Sequence, residues 1–226
     1  VKILTTFGVG PAREALAISL PFMQAYAARH GYTLVLPSDE EVKVLGDGRP
    51  PSWAKIPWLS KLCEESPPST NILWLDADVI VARHNVDIAE LWPGRSGWWN
   101  PWVSMVVQEV PDGSVPSCGV MLLRSDRYAR SRFCDVWYAC GPDGMNSARS
   151  AGWWEQAAMI RYLGGDPDQH PIVPPPESVF WGKLGYTWNP HPADPRGVPE
   201  DCRFFHATGI ADRLGAMREW AAKVRL

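Results

Sequence analysis

Hydrophobic and polar positions follow two different periods along the first third of the chain. Val1 to Phe7 is an apolar, β-branched run that breaks at Gly8 and Gly10, which predicts a buried strand ending in a tight turn. Ala15, Ile18, Phe22 and Tyr26 then recur at helical spacing up to a stop at His30-Gly31, with Pro21 either kinking this helix or opening its main segment. Tyr32 to Leu36 predicts a second strand, and the polar, Gly/Pro-rich stretch from Pro37 to Ser52 a loop. From Trp53 to Glu65 the helical period returns, with Ile56, Leu59 and Cys63 on one face, and Asn71 to Leu75 predicts a third strand leading straight into Asp76-Ala77-Asp78. Strands and helices alternating at these distances imply βαβ units: an α/β fold with a mostly parallel sheet flanked by helices.

Past Val81 the pattern changes. It predicts a short helix around Asp87 to Leu91, a Trp-rich loop, strands near Trp102 to Gln108 and Cys118 to Leu123, and helices over about Asp126 to Ala139 and Trp153 to Leu163. A proline-rich tail, the run Phe204-Phe205-His206 and a closing helix to Leu226 follow. Neither a repeat nor a domain boundary is visible, so residues 1–226 are expected to form one domain, consistent with single cores that stop growing at roughly 250–300 residues.

Composition narrows the function classes. Hydrophobic residues at 46% and charged residues at 21% exclude a chain disordered throughout. A net charge of −3 without a basic block argues against nucleic acid as a partner, and Arg124, Arg127, Arg130 and Arg132 are expected on a solvated helix face. The five cysteines are odd in number and form no CxxC pair, so neither a zinc site nor a disulfide framework is expected. No stretch reaches about 18 apolar residues, and the first residues resemble a strand more than a leader, which predicts a soluble, cytoplasmic protein with no membrane partner. The 13 tryptophans exceed what a core of this size needs. Flat aromatic faces at Trp98, Trp99, Trp102, Trp153, Trp154, Trp181 and Trp188 suit sugar rings, although such residues also plug loops onto cores; Trp153 is the first candidate on the acceptor side.

The sharpest chemical signal is the pair Asp76 and Asp78 at the end of an apolar run. In extended backbone, positions i and i+2 point to one side, and two carboxylates at a strand's carboxyl edge repel unless a cation joins them. That edge is where open α/β sheets bind ligands, and a hard divalent ion with oxygen ligands is its natural occupant, although paired acids also occur as turn or cap residues. His206, flanked by Phe205 and Ala207, is either a satisfied core imidazole or a third ligand that would favour Mn²⁺ over Mg²⁺.

Read in order, these segments resemble a known family. The strand Ile3 to Thr6, Tyr26-Ala27-Ala28-Arg29-His30-Gly31-Tyr32, Trp53-Ala54-Lys55 and Leu73-Trp74-Leu75-Asp76-Ala77-Asp78 follow one another as in metal-dependent glycosyltransferases of the GT-A fold. Cys118-Gly119-Val120-Met121-Leu122-Leu123-Arg124, Trp153-Trp154-Glu155-Gln156 and His206-Ala207-Thr208-Gly209 resemble three later motifs of the same enzymes, most closely the retaining galactosyl/xylosyl/mannosyltransferases of family 34, with family 8 as a relative. The resemblance implies a Rossmann-like nucleotide-diphospho-sugar transferase fold with a mixed sheet. Residues 1–82 would hold the donor nucleotide and residues 83–226 the sugar and acceptor. It implies Thr5, Thr6 and Phe7 at the nucleobase, Lys55, Ala77 and Gly209 facing the donor, and Asp76, Asp78 and His206 holding Mn²⁺ or Mg²⁺ on the diphosphate. Glu155 and Gln156 would be the catalytic acid and amide at the donor sugar, and the acceptor a small molecule or saccharide hydroxyl. Three positions depart from the pattern: Glu155 replaces an Asp, Cys118 an Asn or Ser, and Asp212 a phosphate-binding Lys that Arg213 could replace only if the loop register differs by one residue.

Two other readings share parts of the signal. Haloacid-dehalogenase-like phosphatases carry an apolar strand followed by D-x-D, with the first Asp, here Asp76, as nucleophile, but on their first strand. A non-enzymatic carbohydrate-binding module would explain the tryptophans and leave the paired acids without a task.

Overall fold

A computed structural model describes residues 1–91, 105–109, 116–125, 130, 150–162, 164–168, 181–190, 192 and 196–225. The first elements are β1 (Lys2–Thr5), α1 (Ala12–His30), β2 (Thr33–Val35), α2 (Asp39–Gly46), α3 (Lys55–Glu65), β3 (Asn71–Leu75) and β4 (Val79–Val81). After them come β5 (Met105–Glu109), β6 (Pro116–Arg124), α4 (Ser150–Tyr162), β7 (Trp181–Leu184), β8 (Phe204–His206) and α5 (Arg213–Lys223). The helix predicted over Asp126 to Ala139 and the Trp98, Trp99 and Trp102 cluster lie outside the described residues.

Six strands form one sheet in the order β2-β1-β3-β6-β5-β7. β1 pairs in parallel with β2 and β3, which is the βαβ half predicted from the sequence. β6 then pairs antiparallel with both β3 and β5, and β7 is parallel to β5, so the sheet is mixed. β4 leaves this sheet and pairs antiparallel with β8 in a separate two-stranded ribbon.

Both faces of β3 are buried, as an unbroken apolar strand requires. Leu73 and Leu75 join Leu4, Val120, Leu122 and the inner residues of α1, β4 and β8 in one core. Ile72 and Trp74 face the other way, onto Trp58, Leu59 and Leu62 of α3 and Ala158 and Met159 of α4.

Two local expectations change. α1 is one helix through the exposed Pro21, and the Ser19 hydroxyl two residues earlier donates 2.7 Å to the Ala77 carbonyl, fastening the helix to the D-x-D segment. The polar stretch expected to be a loop contains α2, started by a capping box in which Ser38 accepts from the Glu41 N–H while the Glu41 carboxylate accepts from the Ser38 N–H. Ser38-x-x-Glu41 was the sequence signal for that helix; the missing hydrophobic stripe concealed it.

Candidate active site

The carboxyl ends of β1 and β3, the bulged part of β6, the start of β4 and the end of β8 meet at one place. After β3 the chain turns, with the Val79 N–H donating 3.0 Å to the Asp76 carbonyl, so Asp76 and Asp78 sit in a turn rather than on extended backbone. Convergence of the two acids is therefore the work of the turn, not of strand pleat. The turn is held on every side: Asp76 N–H donates to the Gly119 carbonyl at 2.8 Å, Ala207 N–H to the Asp78 carbonyl at 3.0 Å, and Ser19 to Ala77.

Pairing of β4 with β8 sets Val79 opposite His206 and brings its imidazole to the two acids. His206 Nε2 lies 3.3 Å from Asp78 Oδ1 and 3.9 Å from Asp76 Oδ2. One ligand atom from each of the three residues falls within a 4.8 Å cluster. Two carboxylates and an imidazole make an O,O,N donor set that fits a divalent ion of the Mn²⁺ type.

Glycine is needed beside it. A Cβ on Gly119 would stand 2.1 Å from His206 Cε1, so the ring occupies space that any other residue would fill. Residues 118–120 of β6 form the irregularity opposite Val107/Gln108 in the β5–β6 pairing, a bulge of the kind that adjusts strands near sites.

The oxygens of the two aspartates are divided between two cations. Asp76 Oδ1 accepts from the Trp74 indole N–H at 2.7 Å and lies 2.8 Å from Lys55 Nζ. Lys55 also donates 2.8 Å to Glu155 Oε1 and 3.1 Å to the Cys118 carbonyl, and its ammonium lies 5.2 Å from the centre of the Trp74 ring. Three oxygens for three N–H bonds saturate this ammonium, which is only 3% exposed. Burial opposes its charge, yet Asp76 and Glu155 together outweigh burial and hold the Lys55 pKa above its ordinary value.

Asp78 Oδ2 instead faces Arg213 Nη1 at 3.5 Å, and that guanidinium is 41% exposed. Burial alone would raise the Asp78 pKa; the His206 imidazole, followed by Arg213, overrides it and takes the group down to about 2. For His206, burial disfavours the cation, and Asp78 and Asp76 more than compensate, so its pKa is raised.

The residues singled out in the sequence fall into three groups. Asp76, Asp78, His206, Lys55 and Glu155 stand together, with Gln156 next in α4, half-buried. Thr5, which ends β1, and Thr6, which follows it, are fully buried: the Thr5 hydroxyl accepts from the Trp58 indole N–H at 2.8 Å, and Thr6 Oγ1 has no partner among the described residues. Phe7 is half-buried, edge-on to Trp74 at 5.2 Å. Gly209 has φ +69° in the exposed turn between β8 and α5. Asp212 does not reach the site; its carboxylate accepts from the Gly215 N–H at 2.9 Å and caps α5, which leaves Arg213 as the cation that faces Asp78. Cys118 is buried, and its thiol pKa is pushed up to about 12 by that burial, so it is a neutral packing group. As a nucleophile Asp76 is poorly disposed, with Oδ1 engaged twice and Oδ2 turned toward His206.

Sequence reasoning missed Trp74 as an aspartate donor, Ser19 as a tether and Gly119 as space for the imidazole. Trp74 lies two residues before Asp76 in the same motif and was readable only as core. Among the described residues, no helix is long and apolar enough to cross a membrane.

Comparison with known proteins agrees with this geometry. Residues 12–92 match the model of the galactosyl transferase GMA12/MNN10 family, Glyco_transf_34, which covers α1 through the D-x-D and the short helical turn after β4. No curated protein sequence matches the chain. A glycosyltransferase involved in the glycosylation of the major capsid of PBCV-1 superposes with a TM-score of 0.63 at 19% identity, over 96% of this chain and 98% of that one. The galactosyltransferase LgtC, solved with donor and acceptor sugar analogues, gives 0.52 at 13% identity over 100% and 97%. The glycosyltransferase GlyE of Streptococcus pneumoniae TIGR4 gives 0.56 at 12% over 97% and 59%. The chain has the GT-A fold of these glycosyltransferases, and its residues 12–92 carry the sequence pattern of the galactosyl transferase GMA12/MNN10 family.

Proposed function

We propose that the protein is a metal-dependent, retaining glycosyltransferase that moves a hexose or pentose from a nucleoside diphosphate sugar, UDP-linked by preference, to a hydroxyl of a small molecule or saccharide. One observation carries the reading: Asp76, Asp78 and His206 converge at the carboxyl edge of the sheet, and Lys55 ties that cluster to Glu155. Asp76 Oδ2, Asp78 and His206 Nε2 would hold the ion, Mn²⁺ or Mg²⁺. Bound there, the ion offsets charge on the departing nucleoside diphosphate.

The chain's own residues perform the rest. Arg213 adds a cation on the open side of Asp78, where the second phosphate of the donor would lie, in place of the family lysine that this chain lacks. Glu155, fixed through Oε1 by Lys55, would keep its second oxygen for the donor sugar, and Gln156, next to it, would orient the sugar hydroxyls. Thr5 and Thr6 have buried side chains, so their share in base recognition falls to the backbone at the end of β1, with the half-buried Phe7 at its rim.

The test is Asp78→Ala. It is expected to lose Mn²⁺-dependent nucleotide binding in calorimetry while keeping the circular dichroism of the parent. Unchanged affinity in a folded variant sinks the metal assignment.

A further inference from the structure

α4 is broken at Trp154, whose backbone sits at φ +45°, ψ −119° between two helical pieces. A positive φ at a bulky non-glycine residue is strained and persists where the surroundings enforce it, often at functional sites. Glycine would take this conformation without a Cβ penalty, yet a tryptophan stands here.

Packing does not account for it. Trp53, Trp58, Trp74 and Trp188 are buried to 6% exposure or less, whereas Trp154 is 41% exposed. The other exposed large hydrophobics among the described residues, Val1, Leu36, Val44 and Leu91, are all aliphatic. The next residue has the opposite fate: Glu155 is 7% exposed, with its carboxylate on Lys55, which is itself on Asp76. The break thus sets a buried acid, wired to the D-x-D turn, directly beside an indole open to solvent.

We propose that Trp154 is the stacking platform for a pyranose ring of the acceptor. The inference rests on the transferase reading above and names its acceptor class as saccharides or glycosides. On that reading the donor would be anchored through its diphosphate at the buried cluster and the second sugar would approach the acid from solvent, and Trp154, next to that acid in the chain, carries the exposed aromatic surface to meet it. An indole stacks on the C–H face of a sugar while leaving the sugar's hydroxyls free, and its N–H supplies a polar edge. Trp153, the first choice from the sequence, is its neighbour on the same helix.

The experiment uses protein labelled with 5-fluorotryptophan, the Trp154 fluorine resonance being assigned from Trp154→Phe. It is titrated with methyl β-galactopyranoside, methyl α-mannopyranoside and methyl β-xylopyranoside in the presence of Mn²⁺ and UDP. The Trp154 resonance is expected to move with at least one glycoside, and Trp154→Ala to weaken that glycoside about tenfold, the order of one aromatic stacking contact. UDP–Mn²⁺ affinity should stay within about twofold and Trp154→Phe should retain most of the glycoside affinity. Should Trp154→Ala fold poorly, Trp154→Gly removes the indole while relieving the backbone, and serves the same comparison. A resonance that moves with none of the three glycosides, or a variant that binds them like the parent, overturns the proposal. Loss of UDP–Mn²⁺ binding by the parent itself would strike the transferase reading instead, and the glycoside shift would then report a sugar site without one.

Discussion

Lys55 and Arg213 each stand on one aspartate of the same D-x-D, and they are opposite kinds of cation. Lys55 is buried, has an oxygen for every N–H and joins Asp76 to Glu155 and to the β6 backbone. Arg213 is half-exposed, 3.5 Å from Asp78, on the first turn of α5. The first is part of the frame and has nothing left to give a ligand; the second keeps most of its donors for one. The resemblance implies Lys55 at the donor; here its ammonium is held by Asp76, Glu155 and the Cys118 carbonyl.

The comparison breaks hardest at Lys55. Lys55→Met leaves Asp76 and Glu155 facing each other without their cation, and removal of one partner from a buried ion group costs about 3–5 kcal/mol. Urea denaturation should show a loss of that order, and adding Glu155→Gln should recover a good part of it by removing the repulsion. A variant as stable as the parent would mean that Lys55 does not hold the acids.

Arg213→Ala should behave otherwise. Exposed ion pairs contribute about 0–1 kcal/mol, so stability should barely change. Affinity for UDP in Mn²⁺ should fall about tenfold, as expected of one charge-assisted phosphate contact, while UMP affinity stays constant. Equal losses for both nucleotides would place Arg213 away from the second phosphate.

Proton linkage separates the two sides in a subtler way. The folded pKa of His206 is raised, so its contribution to the metal-free fold is complete below about 6.5, its ordinary value, and is lost as pH climbs through the raised value. Asp78 is depressed to about 2, so its contribution is present above about 3.8 and fades as pH falls toward 2. Metal binding needs His206 neutral and should release a proton, growing stronger as pH rises through that same range. Thermal melts with and without Mn²⁺ across this range should diverge progressively on the alkaline side; parallel curves would remove His206 from the ligand set.

How much of this was legible in the chain follows from where each signal lies. β3 and its acids could be read because a doubly buried strand is a continuous apolar run with an abrupt charged end. β4 and β8 are three residues each and pair across more than a hundred positions, so neither carries a period of its own; their pairing is nonetheless what delivers His206. α2 was written in its capping box and not in a stripe. The Lys55 clamp is a tertiary meeting of four segments, and only the motif order hinted at it. Arg213 was visible as an alternative to the missing lysine, and its placement was decided by Asp212, which is spent on capping α5.

The central claim is that Asp76, Asp78 and His206 form a divalent-ion site serving a nucleoside diphosphate. Calorimetric titration of the protein with UDP, with and without Mn²⁺, tests it most directly. Binding that appears only with the metal, and disappears in His206→Ala, is the expected result; UDP binding of equal strength without metal, or no binding in either case, would contradict it.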